Sequence, residues 1–387
     1  MKFYWIFMIL LLVACSKTEE NPSTNPDVND DQNDDQNDDQ TTDELETYNL
    51  SLLADTGADG DIVLMNIDAE NSEVTTENLS NSFGFNQNSK MDFRESGEIT
   101  WVRDLNDLDY PIGQKNLNTG SINTYNQLCS IENENIKYVT SSNGTIVICS
   151  EFYDSVNNLV IANYRLKGTN QDCALFSLEG YYTSAAFLTN NLLLCSVQRQ
   201  DDNTVGKIIK INTNNGTVEG EIIGLGQLSF TSDGEKVYLF DDSLKKYDLS
   251  TFEEEWDVPY NYIYNEGFYP FEGEFYQDRL LIHTGFQQPS PYNTGIAVLN
   301  KNTGNVIEDN TSTDFMSDLI MNMSIAHPEA NNFNATSINM DLEQRVILIT
   351  TYDLATSNHY LIYTNFQSEL LKVIKIPYPA KKIFFRP

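Results

Sequence analysis

The chain has 387 residues, and its 57 acidic and 23 basic side chains give it a formal net charge of −34 at pH 7. Residues 47–387 alone carry 45 of the acidic and 21 of the basic residues, a net charge of −24. A surface this negative repels nucleic-acid phosphates and anionic lipid headgroups, and no run of Lys or Arg offsets it. The composition therefore excludes nucleic acid as an expected partner.

The chain begins with a short apolar segment that ends in a cysteine. Lys2 precedes eleven apolar residues, Phe3 to Val13, and Ala14 and Cys15 follow them. A helix needs roughly 20 apolar residues to cross a bilayer, so the segment is too short for an ordinary transmembrane anchor. The pattern predicts that residues 1–14 are an export signal.

The last four residues of this segment, Leu12-Val13-Ala14-Cys15, resemble the signal of bacterial lipoproteins. The resemblance implies that Cys15 becomes the first residue of the mature protein and carries acyl chains, palmitate among them. Each buried CH₂ contributes about 0.8 kcal/mol, so several chains hold a protein firmly on a membrane. We therefore expect a lipoprotein of the outer membrane, in the cell envelope.

Residues 15–46 form the next segment, which is predicted to be a disordered tether. It has 12 acidic residues between Glu19 and Glu46 against the single basic residue Lys17, with few apolar residues to bury. Its DDQNDDQNDD run lacks the glycine turn of a calcium-binding EF-hand loop. The acidic start, Glu19-Glu20, resembles the surface-export signal of Bacteroidetes lipoproteins, which implies exposure at the cell surface. A periplasmic orientation stays open.

Residues 47–387 are predicted to be an all-β domain. Short β-branched and aromatic runs lie between Asn, Asp, Gly and Ser, and almost no stretch has apolar residues at helical spacing. In the clearest unit, residues 227–259, one strand ends at Ser232 and three more are predicted over Lys236–Phe240, Leu244–Asp248 and Glu254–Val258. Four short strands joined by tight turns make one blade of a β-propeller.

The polar turn before the last strand of this unit recurs seven times. The copies are IDAENSEV from Ile67, NLNTGSI from Asn116, LKGTNQDCAL from Leu166, INTNNGTVEG from Ile211, YDLSTFEEEW from Tyr247, LNKNTGNVI from Leu299 and YTNFQSELLKV from Tyr363. One copy per about 49 residues matches the length of propeller repeats. The pattern predicts a seven-bladed propeller with four-stranded antiparallel blades; six or eight blades and a β-sandwich are the alternatives.

Two of these copies, YDLSTFEEEW and VLNKNTGNVI, resemble the repeat of quinoprotein-type (PQQ-like) propellers, with Trp256 at that family's docking position. The resemblance implies the architecture. Bacterial outer-membrane assembly lipoproteins and quinone-dependent dehydrogenases share this repeat, so it leaves the function open.

The two ends of the domain predict how the ring closes. TYNLSLLAD, GDIVLMNID and SEVTTENL supply three strands before the second blade begins. The last apolar segment, Lys381–Phe385, is predicted to be the missing inner strand of the first blade. This closure removes exposed sheet edges.

The sequence predicts no catalytic residue and no cofactor. His283, His327 and His359 lie in separate predicted strands or loops, and no nucleophile elbow, P-loop or dinucleotide fingerprint is present. Asp55, Asp59 and Asp61 surround two glycines and are candidate ligands for Ca²⁺. A tight turn between strands explains the same residues equally well.

Four cysteines lie within the predicted propeller. Cys149 and Cys195 are 46 residues apart, about one blade, which places them at matching positions in neighbouring blades. Such positions are usually too far apart for a disulfide, so both are expected to be buried free thiols. The state of Cys129 and Cys173 stays open.

An aromatic segment, residues 259–276, is the candidate binding surface. Candidate ligand-binding residues are Tyr260, Tyr262, Tyr264 and Tyr269, with Tyr292 in a nearby loop. Tyrosines suit stacking on sugars and contact with proteins. The alternative is that the rings fill space between blades.

Three functions fit these observations. The leading hypothesis is a noncatalytic binding or scaffolding module that holds a protein or glycan partner at the cell envelope. The second is a propeller enzyme: a quinone-dependent oxidoreductase, a lyase or a hydrolase. The third is an envelope assembly factor that pairs its exposed sheet edges with strands of other proteins.

Overall fold

The chain divides into two units, Met1–Glu44 and Leu45–Pro387. The computed structural model describes residues 49–56, 60–83, 89–94, 97–102, 112–125, 134–167, 173–241, 243–259, 274–284, 295–310, 313–330 and 332–385. The predicted signal and tether lie outside the described residues, so both stay predictions.

The second unit is a seven-bladed β-propeller, as predicted, and each blade is a four-stranded antiparallel sheet. Blade 1 contains β1 (Asn49–Asp55), β2 (Ile62–Asp68) and β3 (Glu73–Asn78), and blade 2 contains β4 (Lys90–Phe93), β5 (Glu98–Val102), β6 (Ile112–Asn116) and β7 (Ile122–Tyr125). Blade 3 contains β8 (Asn135–Ser142), β9 (Thr145–Asp154), β10 (Leu159–Lys167) and β11 (Ala174–Glu179); blade 4 contains β12 (Tyr181–Thr189), β13 (Leu192–Arg199), β14 (Val205–Asn212) and β15 (Val218–Leu225); blade 5 contains β16 (Ser229–Ser232), β17 (Lys236–Phe240), β18 (Ser243–Asp248) and β19 (Glu254–Pro259). Blade 6 contains β20 (Glu274–Tyr276), β21 (Arg279–Thr284), β22 (Gly295–Asn300) and β23 (Val306–Asp309), and blade 7 contains β24 (Phe333–Asp341), β25 (Val346–Asp353), β26 (His359–Thr364) and β27 (Leu370–Ile376).

The last strand, β28 (Ala380–Phe385), closes the ring. It pairs antiparallel with β1 and becomes the inner strand of blade 1, with Leu52 opposite Ile383. The predicted closure by the C-terminal segment is confirmed. First and last strands of the domain therefore share one sheet.

Two helices interrupt the strands, α1 (Leu79–Phe83) after β3 and α2 (Thr313–Ala326) before β24. Helix α2 was not predicted from the sequence, although its buried residues Phe315, Leu319 and Met323 recur every four residues. Among the described residues, neither helix is long and apolar enough to cross a membrane.

Strand position within a blade decides the sequence pattern. Middle strands are buried on both faces because blades pack against each side of them, so they contain continuous apolar runs such as Ile62–Met65. Outer strands alternate instead, as in β11, where every second residue from Leu175 is exposed. Inner strands pack beside the central axis of the ring, where β4 and β12 both contact β8.

The recurring polar turn joins the third and fourth strands of the blades. In blade 5, the Asp248 carboxylate accepts backbone N–H bonds from Ser250 and Thr251 at 2.9 and 3.0 Å. The bond from the backbone N–H two positions further on forms in six described copies, at Asp68, Asn116, Asn212, Asp248, Asn300 and Asn365. Short polar side chains at this position therefore fix the turn, which is why the sequence shows it.

Neighbouring blades dock through these turns. The Trp256 ring of blade 5 lies against Gly304 in the turn of blade 6, where an added Cβ would be 2.9 Å from Trp256 Cζ3 and 2.6 Å from Val258 Cγ2. Phe176 of blade 3 covers Gly216 of blade 4 in the same way. An aromatic ring in one blade thus requires a glycine in the next, and Phe176 is a docking residue that the sequence analysis missed.

The seam between blades 6 and 7, called the 6–7 seam, is apolar. Its buried cluster joins side chains of both blades and of α2, among them Leu281, Val298, Leu319, Ile349 and Ile362. Sixteen described residues belong to this cluster, so apolar burial holds these two blades together.

The seam between blades 2 and 3, called the 2–3 seam, is much more polar. Only six described apolar residues form its buried cluster. Beside them, the Arg165 guanidinium of blade 3 forms a buried ion pair with Glu134, which also accepts bonds from Ser150 and Asn163. Thr100 and Ser141 hydroxyls bond across the seam at 2.7 Å. Polar groups therefore do much of the packing here.

Candidate functional site: the central channel

Most of the residues proposed from the sequence lie outside the described residues. These are Cys15, Asp59, Tyr260, Tyr262, Tyr264, Tyr269 and Tyr292. The lipidation site and the aromatic ligand site therefore stay predictions.

Two of the three proposed calcium ligands are described, and each has a protein partner. The Asp55 carboxylate accepts a bond from Lys381 Nζ at 2.8 Å, and that of Asp61 accepts one from Asn78 Nδ2 at 2.7 Å. The Thr56 N–H donates to the Asp61 carbonyl. These contacts fasten the end of β1 and the start of β2 to neighbouring strands, and the Ca²⁺ site stays a prediction.

The described end of the aromatic segment packs between blades. The Phe275 ring lies 5.5 Å from that of Tyr238 in blade 5. The Tyr276 hydroxyl donates to the Glu343 carboxylate of blade 7 at 2.8 Å. These two rings contact residues of neighbouring blades, and the aromatic binding surface stays a prediction.

The described cysteines are of two kinds. Cys149 and Cys195 are buried free thiols, as predicted. Their positions do not match as predicted, because Cys149 of blade 3 and Cys195 of blade 4 both face the apolar cluster between these two blades. Burial raises the pKa of both thiols, so they stay protonated and unreactive. Cys173, which was left open, is disulfide-bonded.

Side chains from four blades instead meet along the central channel. The first is Arg94, at the end of β4. Its guanidinium donates to the Thr140 hydroxyl of blade 3, and its Cζ lies 4.6 Å from the ring centroid of Phe187 in blade 4. Blade 3 separates blades 2 and 4, so Arg94 must reach Phe187 along the inner side of blade 3. This contact places Arg94 in the channel.

Asp92 holds Arg94 in position. Its Oδ2 accepts bonds from Arg94 Nε at 3.0 Å and from the backbone N–H of Ser141 at 2.8 Å. Burial raises the pKa of Asp92, while the Arg94 guanidinium and the Ser141 N–H oppose that shift. The carboxylate therefore both orients the arginine and ties blade 2 to blade 3.

A second cation, Lys382, lies on the inner strand of blade 1. Its Nζ is 4.3 Å from the ring centroid of Phe93 and 5.5 Å from that of Phe384. The two rings contact each other with centroids 4.7 Å apart. The ammonium is thus held over aromatic faces, an arrangement worth about 0.5–2 kcal/mol.

His283, in β21 of blade 6, is a further titratable group whose pKa responds to Lys382. Burial and the nearby Lys382 charge lower the pKa of His283 to about 4, so the imidazole is neutral at pH 7. Asp92, Arg94 and Lys382, together with Phe93, Phe187 and Phe384, are called the channel cluster below.

The channel cluster offers binding chemistry: two cations, a carboxylate and three half-buried aromatic rings. Among the described residues, no group of three His, Cys, Asp or Glu side chains could hold a metal ion. The sequence analysis missed this site because its members lie far apart between Asp92 and Lys382. The available signal was charge on predicted inner strands, where most residues are apolar or small.

Comparison with known proteins supports the fold and adds no family. No family model matches the sequence, and neither does any curated protein. Among solved structures, a proposed 6-phosphogluconolactonase from Bacteroides fragilis has 11% identity and a TM-score of 0.50, covering 90% of this chain and 100% of that one.

A quinoprotein alcohol dehydrogenase-like protein from Bacteroides thetaiotaomicron has 10% identity and a TM-score of 0.52, covering 88% of this chain and 78% of that one. Identities this low show the fold alone. The resemblance to quinoprotein-type repeats is thus supported as architecture, and the chain is a propeller similar to proteins with different described activities.

Proposed function

We propose that this protein is an outer-membrane lipoprotein of the cell envelope, anchored through Cys15, whose propeller binds a protein or glycan partner without catalysing a reaction. The observation that carries the binding role is the channel cluster, where cations and aromatic rings from three blades converge. Such side chains suit contacts with sugars and with protein side chains. The anchor rests on the lipoprotein-like residues 1–15.

The anchor is tested by expressing the full chain in a Gram-negative host with and without Cys15→Ser. We expect the unsubstituted protein in the detergent-soluble membrane fraction, labelled by an alkyne analogue of palmitate. The variant should lose the label and the membrane association. Label retained in Cys15→Ser would contradict lipidation at this residue.

The binding role is tested by applying the full chain, purified in detergent, to a glycan array and to an immobilised set of envelope proteins. We expect a reproducible ligand whose signal falls at least tenfold in Phe187→Ala or in Tyr260→Ala/Tyr262→Ala/Tyr264→Ala. The first variant assigns binding to the channel and the second to the aromatic segment. Turnover of the captured ligand would instead support an enzyme.

A further inference from the structure

The outer strand of blade 4, β15, is an open sheet edge. Among the described residues, it is the last strand of its sheet and pairs with β14 alone. The Gly226 N–H donates to the Thr204 carbonyl next to β14 at 2.8 Å. The Leu225 N–H points the other way, to the Asp241 carboxylate at 3.4 Å. Backbone groups of an antiparallel strand alternate between its two sides, so the N–H and C=O of Ile223 also point away from β14.

β15 exposes three large apolar side chains, more than any other described strand. They are Val218, Ile223 and Leu225, with 56%, 61% and 64% of their surface exposed. Ile223 and Leu225 are two residues apart, so their side chains lie on one face. Other outer strands contain residues that block the addition of a further strand, such as Pro259 in β19 and two lysines in β27. None of the eight residues of β15 is a proline or a basic residue.

The charge along β15 is negative. The Glu219 carboxylate accepts a bond from the neutral amide of Asn212 at 2.8 Å and contacts no cation among the described residues. Glu221 pairs with Lys207 at 2.9 Å. Residues 47–387 have a net charge of −24. Basic side chains are therefore favoured beside this edge.

A second copy of this chain fits the edge poorly. Two propeller domains that each carry a charge of −24 repel each other. Stable interfaces bury about 1,200–2,000 Å², and a single strand edge about 27 Å long does not provide this area. An extended peptide needs less area, because main-chain hydrogen bonds supply much of its affinity.

We infer that β15 binds an extended segment of another protein, which adds to blade 4 as a fifth, antiparallel strand. Apolar side chains of the segment cover Ile223 and Leu225, and basic side chains on the same face lie near Glu219 and Glu221. This inference rests on the proposed binding role and deepens it, since it names the chemistry of a protein partner and its place outside the channel cluster.

The probe is a seven-residue peptide, Val-Thr-Val-Thr-Lys-Thr-Lys, with capped ends. In antiparallel pairing its valines lie opposite Leu225 and Ile223, and its lysines lie opposite Glu221 and Glu219. Affinities are measured by ligand-observed NMR with the full chain in detergent, and detergent alone is the blank. We expect binding that added salt weakens, and at least tenfold weaker binding of the peptide with glutamates in place of its lysines.

Two methylated peptides separate strand addition from general attraction to an acidic protein. N-methylation of the second valine and the first lysine removes amides that face β15 and should weaken binding at least tenfold. N-methylation of the first two threonines changes amides on the far edge, and affinity should stay within threefold. Both peptides keep the charge and the side chains of the probe.

Two matched variants locate the site on the protein. Ile223→Lys places a positive charge on β15, and peptide affinity should fall at least tenfold. Leu175→Lys adds the same charge at an exposed position of another outer strand, β11, and should leave the affinity within twofold. Thermal melts of both variants verify that the ring is intact. In the unsubstituted chain, the peptide should slow hydrogen exchange of the fragment 218–225.

Three outcomes would overturn the inference: no binding of the probe, equal affinity of the two methylated peptides, or equal affinity in Ile223→Lys and the unsubstituted chain. A protein found on the immobilised set that binds Ile223→Lys unchanged would also overturn it, while the proposed binding role stands.

Discussion

The 6–7 seam and the 2–3 seam join blades of the same architecture by different means. In the first, α2 and the middle strands of two blades bury a continuous apolar cluster. In the second, a small apolar cluster is flanked by the Glu134–Arg165 ion pair and by hydroxyl and amide groups that bond to one another. The propeller thus tolerates both apolar and polar seams.

The difference has energetic consequences. Apolar burial contributes about 25 cal/mol per Å² without fixed partners, so loss of one side chain is a local cost. A buried ion pair gives little net stability, yet removal of one partner leaves an uncompensated charge. We therefore expect the 2–3 seam to be more sensitive to single substitutions and the 6–7 seam to dominate total stability.

The largest loss of stability should come from truncation of Ile383–Pro387. This truncation tests whether both seams belong to one cooperative unit. Removal of buried Ile383 and of most of the pairing of β28 with β1 should cost at least about 5 kcal/mol, or roughly 10 °C in melting temperature. Calorimetry measures the melt, and a chain lacking only residues 386–387 is the control. An unchanged melt would show that the ring does not depend on this closure.

Next in size is Arg165→Met in the 2–3 seam. The substitution leaves the buried Glu134 carboxylate without its arginine partner and should destabilise the protein by about 3–5 kcal/mol. Combination with Glu134→Leu should recover most of this loss, as measured by urea unfolding. In the 6–7 seam, Ile349→Ala should cost about 2–5 kcal/mol with no such rescue. Equal costs for the single and double variants in the 2–3 seam would contradict the role of the pair.

A smaller, pH-dependent effect should come from His283. Its pKa is about 4 in the folded protein, below the ordinary value of 6.5, so the unfolded chain takes up the proton first as the pH falls. Stability should therefore decrease from pH 6.5 to 4, in total by on the order of 3 kcal/mol for this group.

Urea unfolding across this pH range compares His283→Gln with His327→Gln, a substitution next to α2 and outside the channel. Only His283→Gln should reduce the change in the free energy of unfolding between pH 4 and pH 6.5. If both variants keep the slope of the unsubstituted protein, the pH dependence originates elsewhere.

The smallest loss of stability is expected for substitution of a glycine in the polar turn, which can be compared between two blades. Gly304 and Gly120 both have a positive φ, 72° and 67°, but only Gly304 has a ring against it. Gly120→Ala should cost about 1 kcal/mol for backbone strain, and Gly304→Ala about 1–2 kcal/mol more because its Cβ meets Trp256 and Val258. Melting temperatures measure both. Equal shifts in melting temperature would show that Trp256 and Val258 move away from the added Cβ without loss of stability.

The sequence predicted features that depend on local chemistry. The polar turn is set by residues two or three positions apart, such as Asp248 and Ser250, so it is visible in one stretch of chain. The apolar runs of the middle strands are visible for the same reason. Blade number and closure followed from counting these local signals.

Features that depend on the ring itself could not be predicted. Arg94 reaches Phe187, and Lys382 reaches Phe93, only because the ring brings distant segments of the chain together. Which seam is polar also depends on side chains from two blades, such as Thr100 and Ser141. Helix α2 is a different case. The helical spacing of its apolar residues is present in the sequence, but the segment lies between predicted strands and was not recognised.

The pairing of the first strand with the last has a practical consequence for experiments. Leu50 lies opposite Phe385, so the chain enters and leaves the propeller at the same rim of blade 1. Lys381 lies toward the other rim because β28 begins there. His283 lies toward that rim because β21, which runs antiparallel to the inner strand β20, ends there. A sensor surface coupled through a tag after residue 387 would therefore present that other rim to analytes in solution.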